Sequence, residues 1–204
     1  MIRAQAGSAI GLTVLDAPYG QDFNTLASSG TSTVLPTGWE FLESGTNANT
    51  TYTAGTGSSN TRDTYSFGPA SSSERALGGL QSGSLIPLVG AAFSNDTGST
   101  ITSLEISYTG EQWRLGALAR LDRLDFQYSL NSTSLNTGTW VDVDALDFVA
   151  PTTAGSVGPL DGQSAANRTM LAAVVTGVSI PPSATFRRRP SIRVPKLSLR
   201  PTQT

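Results

Sequence analysis

Between Ile101 and Leu130 the chain alternates apolar and polar side chains twice over. Leu104, Ile106 and Tyr108 interleave with Ser103, Glu105, Ser107 and Thr109. Leu124, Phe126, Tyr128 and Leu130 interleave with Arg123, Asp125, Gln127 and Ser129. A period of two places the apolar residues on one face of a strand and the polar ones on the other. Two such strands read as neighbours in an antiparallel sheet. Their phase slips once, because Trp113 and Leu115 are odd-numbered where Leu104, Ile106 and Tyr108 are even. A one-residue slip turns every side chain to the other face, so something must absorb it. Gly110 is the candidate, as a bulge or as a bend between sheets. Gly110–Leu115 has two readings. Either Trp113 enters the core with Glu111 and Arg114 on a wet face, or Glu111, Trp113 and Arg114 form a binding edge.

The rest of the chain fits the same class. At 204 residues one domain is expected, able to bury roughly 70% of its unfolded surface. Ser and Thr make up about a quarter of the residues, Gly contributes 21, and only 14% are charged. That is the profile of short strands joined by polar turns. No stretch of ten or more residues keeps a 3.6 period, so almost no helix is expected; Ser164–Ala173 comes nearest. Strands are expected at Ala9–Leu15, Gln21–Leu26, Pro36–Glu43, Thr64–Gly68, Glu74–Leu80, Gly90–Asn95 and Trp140–Val149. Thr169–Ile180, apolar on both faces, reads as a strand covered on both sides. Residues 44–63 and 150–167 are long loops, expected to be functional or mobile. These strands, with no helices between them, predict an all-β fold: a two-sheet antiparallel jelly-roll sandwich.

Several kinds of chemistry are excluded outright. There is no His and no Cys, which removes Ser-His-Asp and Cys-His nucleophiles, thiolate metal sites and disulfides. No nucleotide-binding glycine motif stands in a strand-to-helix context. Carboxylate chemistry remains. Glycosidases need two carboxyls about 5 to 9 Å apart across one cleft. Asp142 and Asp144 would project from the same face of one strand, about 7 Å apart, with Glu105 on the polar face of the central strand. A jelly-roll enzyme cutting glycans with Asp142, Asp144 or Glu105 is therefore the alternative to a non-catalytic module. Solvated charges are the plainer account of all three. Oxygen ligands leave Ca²⁺ as the metal to consider, with Asp142, Asp144 and Asp147 as its ligands, or Asp16 and Asp22. Otherwise no cofactor is expected. Trp39, Trp113 and Trp140 are either a sugar-stacking platform or packing; Trp140 joins Glu111, Trp113 and Arg114 as a ligand-binding candidate.

Abundant Thr, Ser, Asn and Gly with a single Lys, Lys196, suits an exported bacterial surface protein better than a cytosolic enzyme. No run approaches the length of apolar residues needed to span a membrane. Residues 1–8 read as an N-terminal remnant; within them Ala4-Gln5-Ala6 has the form of a signal cleavage site, either because the true start lies upstream or by chance. Four Asn-x-Ser/Thr sequons, at Asn49, Asn95, Asn131 and Asn167, are near what this composition gives by chance.

Asp22-Phe-Asn-Thr-Leu26, Gly38-Trp39, Tyr65-Ser-Phe-Gly68, Glu74-Arg-Ala-Leu-Gly78, Tyr108-Thr-Gly-Glu-Gln-Trp-Arg114 and Leu124-Asp-Phe-Gln-Tyr-Ser129 occur in this order. Over about residues 15–186 the chain resembles a β-sandwich module found near the front of large secreted bacterial proteins. Those include extracellular endonucleases and surface proteins with C-terminal sorting or adhesion segments. The resemblance implies a concanavalin-like or jelly-roll sandwich and a non-catalytic, accessory role, with other domains of the same protein as partners. The polysaccharide or Ca²⁺ considered above would be its ligands. It carries no assigned ligand residue. Residues 9–186 are the module on this reading. The resemblance breaks after Phe186, where such modules continue with an aromatic strand and a closing acidic strand. Here residues 187–204 hold six of the 13 basic residues and three prolines. The run reads as the product of a shifted reading frame, which would leave the sandwich without its closing strand, or as a natural basic tail. A tail would bind nucleic acid or anionic surfaces by charge.

Overall fold

The computed structural model describes residues 8–192 and 197–200. Residues 1–7, and with them most of the expected N-terminal remnant, lie outside the described residues, as do 193–196 and 201–204. The described chain is all-β. In order, the strands are β1 (Ile10–Leu12), β2 (Thr31–Ser32), β3 (Trp39–Ser44), β4 (Tyr52–Gly55), β5 (Asp63–Phe67), β6 (Ala76–Leu80), β7 (Ile86–Asn95) and β8 (Ile101–Glu111). They continue with β9 (Arg114–Leu115), β10 (Arg123–Ser129), β11 (Val141–Asp142), β12 (Phe148–Val149), β13 (Gly158–Pro159), β14 (Arg168–Ile180), β15 (Thr185–Ile192) and β16 (Leu197–Arg200). Two three-residue 3-10 turns, at Asp144–Leu146 and Ala165–Asn167, are the helical elements among the described residues.

Two sheets carry the fold. The first has the order β1-β7-β15-β10-β11, with β3 also on β7 and β12 also on β10. The second has the order β14-β8-β16-β6-β5-β4-β2. Pairing is mostly antiparallel, but β1–β7 and β4–β5 are parallel, so both sheets are mixed. The core lies between them. Phe41, Val89, Phe93, Phe126 and Phe186 enter it from the first sheet, and Leu77, Ile101, Tyr108, Val175 and Val178 from the second. The molecule is a β-sandwich, held by apolar faces that each sheet can bury only against the other.

The two alternating stretches are not neighbours, as their sequence suggests. They became β8 and β10, which lie in opposite sheets and meet across the core, where the Tyr108 and Phe126 rings stack at 5.8 Å. The phase slip is absorbed after Gly110. β8 runs unbroken to Glu111, and Arg114–Leu115 leaves it to pair with β13 in a separate two-stranded sheet. Gly110 is instead a point of close approach. A Cβ there would sit 2.2 Å from the Phe148 ring. The bulge in this part of the sheet falls on β14, between Thr176 and Ile180, where Gly177 takes φ +75°.

Other expectations are corrected in the same way. Gln21–Leu26 is a turn, the loop 44–63 contains β4, and Trp140–Val149 is broken by the 3-10 turn at Asp144. β14 is not covered on both sides. It is the terminal strand of its sheet, and its outer face exposes Met170 and Val174. Residues 185–192 form β15, central in the first sheet between β7 and β10, and residues 197–200 form β16, central in the second. The three arginines thought to open a tail alternate along β15 instead. One consequence of Pro190 is visible in the register. β15 pairs with β7 at Arg188 and Ser191 but not at Arg189 or Pro190, where a ring nitrogen has no proton to donate.

Candidate functional site

The motifs that most resemble a signature turn out to be architecture. Phe23 is fully buried and packs edge-on against Trp39 at 4.5 Å. The Asn24 side chain accepts a bond from the Arg75 backbone N–H at 3.2 Å, tying the Asp22-Phe-Asn turn to the start of β6. The Arg75 guanidinium, 1% exposed, donates to the Ser66 hydroxyl at 2.9 Å, to the Ser66 carbonyl and to the Gly55 carbonyl at 3.3 Å. It thus gathers the ends of β4 and β5.

The expected binding edge at Gly110–Leu115 is interior. Glu111, Trp113 and Arg114 are 1%, 3% and 7% exposed. The Trp113 indole donates to the Glu111 carboxylate at 2.9 Å, and its ring stacks on Phe67. Arg114 donates to the Gly57 and Ser58 carbonyls, both at 3.0 Å. Gly57 and Gly162 lie directly against Trp113, each too close to carry a Cβ. The cluster fastens two loops to the second sheet and presents no face to solvent. Glu111 and Arg114, read as lying on a wet face, are as buried as the tryptophan.

The three tryptophans form no platform. Trp39 is 3% exposed and donates to the Tyr19 hydroxyl. Trp140 is half-buried, and the Arg189 guanidinium lies 3.9 Å from its ring centroid, covering one of its two faces. The metal candidates Asp142, Asp144 and Asp147 are not gathered. Asp142 accepts from the Gln127 amide, Asp144 opens the 3-10 turn, and Asp147 accepts from the Phe126 backbone N–H and faces Arg123. Desolvation holds the Asp147 carboxyl above its usual range, and the nearby Asp125 charge adds to this. No group of three or more acidic side chains suited to a metal occurs among the described residues. The break at Asp144 also removes the single strand face on which Asp142 and Asp144 were paired.

What the fold does build is an open cleft of about 660 Å³ at one end of the sandwich. One wall is the Thr102–Ser107 part of β8. The opposite wall comes from the first sheet, with Phe93, Phe186, Arg188 and Tyr128, and the segment 12–19 forms the lip. Val14 and Leu15 stand exposed on that lip. Asp16 and Glu105, both exposed, are the acidic groups lining the cleft.

Arg188 sets the electrostatics of this cleft. On β15, Phe186, Arg188 and Pro190 point inward and Arg187 and Arg189 outward, the period of a strand. The outward pair is well served. Arg187 bonds Glu40 at 2.8 Å and the Ser132 carbonyl at 2.6 Å, and Arg189 bonds the Gln127 amide oxygen at 2.9 and 2.8 Å. The Arg188 guanidinium lies over the rings of Trp39 and Phe93, at 5.0 and 5.6 Å. No carboxylate or hydrogen-bond acceptor is placed on it among the described residues. Part of its surface opens into the cleft, but packing around it lowers its pKa to about 10 by desolvation. Reading Arg187–Arg189 as a tail hid this residue. The signal that could have found it is the alternation that places one arginine of three on the apolar face.

No protein-family profile, characterised protein or solved structure matches this chain.

Proposed function

We propose that this chain is a non-catalytic module of a larger secreted or surface protein, and that it holds a small ligand between its two sheets. The observation that carries this reading is the cleft of about 660 Å³. It falls within the roughly 300–1,000 Å³ typical of small-molecule sites and is lined about equally by apolar side chains and by polar ones, among them Arg188, Tyr19, Tyr128 and the Ser and Thr side chains of β8. The extracellular setting is supported by composition: one Lys, and a quarter Ser and Thr. A sugar laid on the tryptophans is a weaker form of the same reading, because Trp39 and Trp113 are buried and Arg189 covers one face of Trp140.

A thermal-shift screen of a broad panel of small metabolites tests it. A ligand at about 100 times its Kd adds about 2.7 kcal/mol, or roughly 5–10 °C in Tm for a chain of this size. The ligand should be recovered chemically unchanged, and Ile106→Trp, which fills the cleft from β8, should remove the shift. Turnover of any glycan in the panel, with or without Ca²⁺, would replace this reading with the enzymatic one.

A further inference from the structure

Arg188 is the one inward-facing cation of β15, half-buried and without an acceptor among the described residues. Arg75 shows how this chain satisfies such a group when the role is structural, with carbonyl and hydroxyl oxygens closing on it. Around Arg188 there are rings instead, and an opening. Aromatic faces attract a guanidinium but accept no directed hydrogen bond from its edge. Its planar fork of N–H donors is therefore free to meet a planar acceptor entering through the cleft.

We infer that the cleft takes an organic monoanion, a carboxylate on an apolar body, whose head pairs with Arg188. This rests on the reading of the cleft as a ligand site. Three features fix the class. The fork geometry suits a carboxylate, which can accept two parallel bonds. Leu12, Phe93, Leu104, Ile106 and Phe186 line the cleft, and Val14 and Leu15 extend the apolar surface to the lip, so an apolar body has a continuous surface to rest on beside the Ser and Thr side chains of β8. One lining cation stands against Asp16 and Glu105. The lining is net negative, so it repels a phosphate dianion or a polyanion such as nucleic acid, and a monoanion is held only by direct pairing with Arg188, away from the exposed Asp16 and Glu105. The aromatic faces of Trp39 and Phe93 are occupied by the guanidinium itself, which leaves ring edges and aliphatic groups for the body.

Octanoate and 1-octanol share the body and differ in the head, so calorimetric titration of both into the full chain tests the assignment. Octanoate is expected to bind at least tenfold more tightly than 1-octanol, and Arg188→Met to abolish that difference while leaving 1-octanol binding in place. Arg188→Lys, which keeps the charge but loses the fork, should fall between. Equal binding of the two by the unsubstituted protein would overturn the carboxylate assignment and leave the cleft as a ligand site. Binding of neither would overturn the assignment as well, and the metabolite screen would then judge the cleft independently. An octanoate preference that survives in Arg188→Met, in protein shown to be folded by its Tm, would place the anion elsewhere.

Discussion

Arg75 and Arg188 bring the same guanidinium into the interior and meet opposite surroundings. Four oxygens, from the Ser66 side chain and the Ser66, Gly55 and Pro69 carbonyls, accept from Arg75. Burial lowers the pKa of both groups, but only Arg75 recovers hydrogen bonds for its lost hydration. Their truncations should therefore differ. Arg75→Met strands buried acceptors, each worth about 1–3 kcal/mol unsatisfied, and should lower stability by about 3 kcal/mol or more. Arg188→Met removes a half-buried charge that has no acceptor and should leave stability unchanged or raise it by up to about 1 kcal/mol, seen as a Tm up to roughly 4 °C higher. Chemical denaturation of the two variants checks both. A loss of several kcal/mol in Arg188→Met, more than its contacts with the Trp39 and Phe93 rings supply, would mean that the guanidinium is paired internally and is not held open for a ligand. The arginine pair was half legible in the sequence. Arg75 sits in a recognisable motif, whereas Arg188 is one of three identical neighbours, and only the strand's inward phase separates it from Arg187 and Arg189.

At the scale of elements, alternation was readable and pairing was not. The apolar phases of β8 and β10 are correct for Leu104, Ile106, Tyr108, Leu124 and Phe126, because period two depends only on the local backbone. Which strand lies beside which depends on distant residues. β8 takes β14 and β16 as partners and β10 takes β15, and none of these adjacencies is local in sequence. β14 shows the limit most clearly. Its Ala172, Val174 and Met170 are apolar, so the sequence reads as covered on both faces, yet these residues lie on the open side of a terminal strand. Small apolar residues tolerate either side. Gly110 and Val174 are then expected to behave unlike their sequence reading. Gly110→Ala drives a Cβ into the Phe148 ring and should cost about 1–3 kcal/mol, as overpacking does. Val174→Thr, at a position 60% exposed, should stay within about 0.5 kcal/mol of the parent. Urea midpoints of the two variants decide between a tight β8–β12 crossing with an open β14 face and the reverse.

At the scale of the molecule, the sandwich depends on two late strands. β15 separates β7 from β10 and β16 separates β8 from β6, so without them each sheet would divide and the core between Phe126, Phe186 and Tyr108 would open. Fold class was legible from the many short alternating stretches and the lack of helical period. The role of residues 185–192 was not, because three arginines and a proline are what central strands ordinarily exclude. The fold accommodates them by giving Arg187 and Arg189 acceptors, leaving the β7 ladder unpaired at Pro190, and turning Arg188 into the cleft. Amide hydrogen exchange of Thr185–Arg188 tests this arrangement most directly. These amides should exchange as slowly as those of β7 and β10, to within about tenfold, since a central strand opens only with the sheet around it. Exchange at the rate of an unstructured peptide would contradict it: β15 would be a tail, the first sheet would be split, and Arg188 would face no cleft.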